Sequence, residues 1–295
     1  MVSATPLPVE TPVGELGTGQ FILQWGSQGS GAGQFEEPVD VAVDEEGNVY
    51  VADLGNKRVQ KFDSNGKFLA AWEGGDEPFV EPLAVATGPG GEIWVLDSYT
   101  NWVHRFDGAG KWQGKVGGPE SGFFHARGLV VDEEGVLYVA DTGTSRVVKY
   151  RQGGEKIGEI GEVGRRGSGP GELNGPVGLA IDEDGLLYEA DVDNRRLQVL
   201  DKDGRYVRAW GIPESHTVEG NHVAVSGGWV YVTDPPRHRV LVYGKGGELI
   251  GGWGREGGGE GEFRRPMGIG IGPDGSVYVA DSRNNRIQKF APWSE

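Results

Sequence analysis

PVDVAVDEEGNVYVADLGNKRVQKF, residues 38–62, contains three short apolar runs separated by two kinds of turn. Val39, Val41 and Val43 alternate with smaller or polar residues. The turn DEEG (44–47) follows, then NVYVAD ending at Asp53, the loop LGNK (54–57), and a third run at 58–62. Runs rich in Val and Tyr, bounded by Asp/Gly turns, predict antiparallel strands at 39–43, 48–53 and 58–62. A further turn, SNGK (64–67), leads into a fourth strand at 67–72.

The same phrase occurs six times. Its second strand ends at Asp53, Asp97, Asp141, Asp191, Asp234 and Asp281, with spacings of 43 to 50 residues. A period of this size with four strands per unit predicts propeller blades. The fourth strand has its own signature, FLAAW (68–72), YVRAW (206–210) and LIGGW (249–253), and the same signature stands ahead of blade 1 as FILQW (21–25). Blade 6 stops after its third strand, at IQKF (287–290). The expected fold is therefore all-β: a six-bladed β-propeller of four-stranded antiparallel blades, closed by N-terminal strand 21–25 completing blade 6. Closure removes a sheet edge that invites pairing with other chains. Residues 1–19 read as a linker-like segment and 20–295 as a single domain.

Composition agrees with this. The 54 glycines and 16 prolines in 295 residues mean many turns, since they follow no collagen period. No cysteine is present, which removes thiolate metal sites and Cys nucleophiles. No run of about 18 apolar residues appears. The net charge of -16 disfavours tracking of a phosphate backbone.

Residues 38–62, and PMGIGIGPDGSVYVADSRNNRIQKF at 266–290, resemble the NHL repeat. The resemblance extends over about residues 20–290. It implies a propeller fold that hosts scaffolds, RNA binders and metal-dependent lyases, so it leaves function open.

Residues that recur in nearly every blade are read as structural. The Asp column and the Arg column (Arg58, Arg146, Arg196, Arg239, Arg286) predict an ion pair inside each blade, five residues apart across a loop. The aromatic column Tyr50, Trp94, Tyr138, Tyr188, Tyr231 and Tyr278 is expected to pack between blades. Acids in the loops joining first and second strands, such as Asp44, Glu45, Asp132 and Asp182, predict a strongly negative bottom face.

Departures from the repeat mark candidates for function. First strands line the channel of a propeller, and their beginnings open on its top face. The mouth is expected to collect Glu37, Asp40, Glu81, His125, Glu219 and His222, a set of carboxylates and imidazoles able to bind a divalent metal such as Ca or Zn. Asn221, Arg127 and Arg265 stand beside them. Glu189 breaks a column of valines (Val51, Val95, Val139, Val232, Val279). An interblade ion pair with an arginine is the preferred reading, with a general acid or base the alternative. Blade 2 replaces its Arg with Trp102, carries Tyr99 in its loop, and is followed by Phe124; exposed aromatics beside polar groups suit sugars or peptide side chains.

Two functions compete. The favoured one is a non-catalytic recognition or scaffold domain binding a glycan, peptide or protein partner on the top face, through Tyr99, Trp102, Phe124, Arg127, Asn221 and Arg265, with no cofactor. The other is a divalent-metal-dependent lyase or hydrolase with its site at the channel mouth, as in lyases that the resemblance brings in. Nucleic acid is disfavoured. A monomer is expected, either cytoplasmic or an extracytoplasmic domain of a larger, membrane-associated protein.

Overall fold

The computed structural model describes residues 19–212 and 220–294. It contains six four-stranded antiparallel sheets arranged in a ring. Blade 1 comprises Pro38–Val43, Val49–Asp53, Arg58–Phe62 and Phe68–Trp72, paired in that order. Blade 6 comprises Pro266–Ile271, Val277–Asp281 and Arg286–Phe290, and its fourth strand is Phe21–Trp25 from the opposite end of the chain. Trp25 stands opposite Ile287, and Gln24 opposite Gln288.

The turns explain the pairing. In blades 1, 3 and 4 the first Asp of the inner hairpin turn caps it from within: Asp44 accepts from the Asn48 amide at 2.7 Å, Asp132 from Val136 and Asp182 from Leu186. The second oxygen of each accepts the hydroxyl of the aromatic column, from Tyr50, Tyr138 and Tyr188. These acids hold their own hairpins together. The outer hairpin turns bring Lys67, Lys202 and Lys245 to the bottom face, and Lys245 pairs with Asp182 at 3.1 Å and Glu183 at 2.6 Å.

Blades pack through apolar layers. The Trp ending an outer strand lies between its own Tyr and an aromatic of the next blade: Trp72 between Tyr50 and Phe106, Trp253 between Tyr231 and Phe290, and Trp25 between Tyr278 and Phe62. Basic residues of third strands cross the seams: Lys61 lies over Tyr50 and donates to the Gly108 carbonyl, and Lys289 lies over Tyr278 and reaches the Ser64 carbonyl. Around the channel the innermost strands approach closely. A Cβ on Gly128 would overlap the Val177 carbonyl, and one on Gly268 the Asp40 carboxylate. Among the described residues no helix is long and apolar enough to cross a membrane.

Candidate recognition face

The top face is built by one repeated grip. Arg58 donates to Asp53 at 2.8 Å and to the carbonyls of Ser30, Gly31 and Gln34 in the preceding interblade loop. Asn56 and Gln60 add donors to the same loop. Arg196 and Arg286 repeat the grip on residues 168–172 and 258–262. The ion pair of the Asp and Arg columns forms in five blades, at 2.7 to 2.9 Å. In blade 2, Trp102 occupies the Arg position opposite Asp97, packs on Gly118 and lies under Lys115 at 4.6 Å. Asp97 instead accepts from the amides of Val80, Glu81 and Thr100.

Above the channel lies a cavity of about 350 Å³ lined by Glu37, Glu81, His125, Arg127, His222 and Arg265, with an apolar collar of Val39, Leu83, Val177 and Met267. The structure thus brings together most of the mouth expected from sequence. Glu37 pairs with Arg265 across the seam between blades 1 and 6. Asp40 lies deeper: its oxygens accept from the Val41 and Val85 amides, and His222 Nδ1 is 3.6 Å away, so Asp40 closes the channel waist instead of joining the rim. Asn221 is buried, with its amide donated to the Thr233 carbonyl. Glu219 lies outside the described residues. Among those described, no three His, Asp or Glu side chains are grouped so as to hold a metal ion.

Glu37, His125 and Arg265 share a left-handed backbone, φ 55°, 53° and 59°, where blade 4 has Gly175 at φ 72°. A side chain in that conformation costs roughly 1 kcal/mol relative to glycine. The amide at this position is held by the preceding blade: Asn285 accepts from Glu37, Ser145 from Gly175, and His238 Nδ1 from Arg265.

Around the rim, the positions flanking the mouth differ between blades. Blades 2 and 3 present Val80, Tyr99 and Phe124, exposed by 37%, 72% and 57%. Phe124 stacks edge-on against His125, 4.4 Å between ring centres. Trp102, which the sequence grouped with Tyr99, belongs to the blade edge and is half-buried.

Glu189 is fully buried, and neither carboxyl oxygen has a hydrogen-bond partner. The expected interblade ion pair does not form among the described residues, and Arg196, the arginine of its own blade, is committed to Asp191 and loop carbonyls. Burial, and after it the charge of Asp191, pushes the Glu189 carboxyl well above the usual carboxylate range, which favours its neutral form. It stands between Leu179 and Gln198 on neighbouring strands, away from the mouth cavity. Sequence reasoning had no access to this, since a valine-column carboxylate reads the same whether paired or orphaned.

The NHL repeat family model matches residues 35–62, 125–150 and 263–290, the phrases that carry the Asp–Arg pair in blades 1, 3 and 6. Three NHL repeats thus lie within this six-bladed β-propeller. The human NHL repeat-containing protein 3 is 46% identical over 55 residues, 18% of this chain and 16% of that protein. Protein lin-41 of Caenorhabditis elegans is 47% identical over 49 residues, 17% of this chain and 4% of its own length. The NHL propeller thus aligns with only a small part of these relatives. Among solved structures, a streptogramin B lyase superposes with TM-score 0.63 at 15% identity, covering 86% of this chain and 93% of that one. A hydrazine synthase chain from Kuenenia stuttgartiensis gives 0.63 at 13% identity, covering 88% and 97%. At such identities the likeness is one of fold alone.

Proposed function

We propose that this NHL propeller is a non-catalytic recognition domain that docks a protein, peptide or glycan partner on its top face. The observation that carries the reading is the exposure of Val80, Tyr99 and Phe124 together beside a charged, concave mouth. Exposed aromatics next to a pocket bring large contact area at little entropic cost, as binding hot spots do. The side chains kept at left-handed positions around the mouth support it, because glycine would serve the fold there at lower cost.

The test compares three forms of the full chain: native, Tyr99→Ala with Phe124→Ala, and a bottom-face control, Glu133→Lys. The top-face variant should keep the native melting temperature and lose partner capture, while the control keeps both. Capture lost by the control and kept by the top-face variant would overturn the reading.

A divalent-metal lyase or hydrolase is the second reading. It is favoured by one observation, that Glu37, Glu81, His125 and His222 share one cavity. Against it, Glu37 is engaged by Arg265 and His222 faces Asp40, which leaves His125 and Glu81 as the donors least committed elsewhere.

A further inference from the structure

In blades 1, 3, 4 and 6 the residue two before the first-strand proline (Ala126 in blade 3) adjoins the second residue of the loop after the second strand. The Gly143 amide bonds the Phe124 carbonyl in blade 3, and the Asp193 amide the Asn174 carbonyl in blade 4. These paired positions flank the mouth. In blade 6 they are Arg264 and Arg283, with the Arg283 amide 3.0 Å from the Arg264 carbonyl. Both side chains are exposed, and among the described residues neither makes an ion pair or a side-chain hydrogen bond.

The pair stands without a carboxylate in a chain with 44 acidic and 28 basic residues. Four other exposed arginines find carboxylates, Arg151 with Glu155, Arg165 with Glu162, Arg205 with Asp203 and Arg255 with Glu262, while Arg166 and Arg195 are exposed without an ion pair among the described residues but are not set side by side as Arg264 and Arg283 are. Two arginines on adjoining backbone positions without a counter-ion form a local positive potential, which an incoming anion relieves. Arg265, next in sequence to Arg264, lines the mouth, and blade 3, with exposed Phe124, stands three blades away around the ring.

Resting on the recognition reading above, we propose that the partner is an acidic peptide segment that lies across the mouth, its carboxylates on Arg264 and Arg283 and an apolar side chain against Phe124 and Tyr99. Arginine forks pair carboxylates in bidentate fashion, so the acidic end would be oriented as well as attracted. A nucleic-acid strand fits less well. The face that carries this basic sector also carries Glu36, Glu73, Asp76 and Glu77, and the net charge of -16 repels a polyanion longer than the two arginines can neutralise.

The experiment selects binders to the full chain from a random dodecapeptide library, then measures the fluorescein-labelled consensus peptide by anisotropy. Three proteins are compared: native, R264E/R283E and Y99A/F124A. The consensus should combine acidic with aromatic or aliphatic residues. Charge reversal should weaken binding by about tenfold or more and remove most of its salt dependence, with the melt unchanged. A neutral or basic consensus, no consensus, or an affinity indifferent to R264E/R283E overturns the proposal. If only Y99A/F124A weakens binding, the top face remains a recognition surface and the acidic partner is wrong; if neither variant matters, both readings fall. Binding of a single-stranded RNA oligonucleotide, lost in R264E/R283E and not displaced by the acidic peptide, would assign the arginines to phosphate and also overturn it.

Discussion

Gln24 accepts a 2.7 Å hydrogen bond from Arg286, which lies 262 residues further along the chain. The same guanidinium holds Asp281 and the carbonyls of Gly258, Gly259 and Glu262. The two ends of the chain are therefore tied into one blade, and the ring is closed by hydrogen bonds as well as by the packing of Trp25 on Phe62.

Deleting residues 1–26 should lower the melting temperature by roughly 10 °C or more, because blade 6 loses its outer strand and exposes an unpaired edge. Deleting residues 1–16 should leave the melt within about a degree, since the closing strand is kept. Calorimetry on the two truncations checks this, and equal melts would refute closure by Phe21–Trp25.

Glu189→Val should stabilise the protein by about 1–3 kcal/mol at neutral pH, since it removes a buried carboxyl with no hydrogen-bond partner and restores the valine of the other five blades. The gain should depend on pH. A carboxyl with a raised folded pKa keeps its proton in the native state, while the unfolded chain releases it above about 4.3. Native stability contributed by the neutral form is thus present at pH below that value and declines as pH rises. Chemical denaturation at acidic and at neutral pH should show the advantage of Glu189→Val growing with pH. A constant advantage would mean the carboxyl is ionised in the fold.

Arg196→Ala should cost about 3–5 kcal/mol, the penalty of leaving a buried carboxylate without its cation. It removes the partner of Asp191 and the donors to Ser168, Gly169 and Glu172 together. Trp102→Ala, at the same position of blade 2, should cost less and leave Asp97 undisturbed, because three backbone amides hold that carboxylate. Urea unfolding of both variants provides the comparison.

Purified protein should contain no stoichiometric divalent metal, and chelation should leave its melt unchanged, since an ion bound to the folded state alone would stabilise it by mass action. Elemental analysis with about one ion per chain, and a melt that falls on chelation and no longer responds in His125→Ala with His222→Ala, would revive the lyase reading.

The strands, the number of blades and the closing strand could be read from the sequence, because each rests on local patterning repeated six times. Alternating Val and Tyr, Asp/Gly turns at fixed offsets, and the orphan FILQW before blade 1 each carry their meaning within a few residues. The ion pair of the Asp and Arg columns was also legible, since both partners recur five residues apart in one hairpin. What spans blades was not. Whether Glu189 is paired depends on which cations the neighbouring blade and its own bring to it; none among the described residues reaches it, and Arg196 turns to Asp191 and an interblade loop. Asp40 looked like a rim carboxylate, yet the close approach of inner strands at Gly268 and the Val85 amide draw it into the waist. Arg264 and Arg283 stand 19 residues apart, and only the hairpin between them makes them neighbours without a shared acid. Hydrogen-bond commitments and charge neighbours are set by three-dimensional packing, so a repeat fixes the frame while tertiary structure decides which of its polar groups remain available.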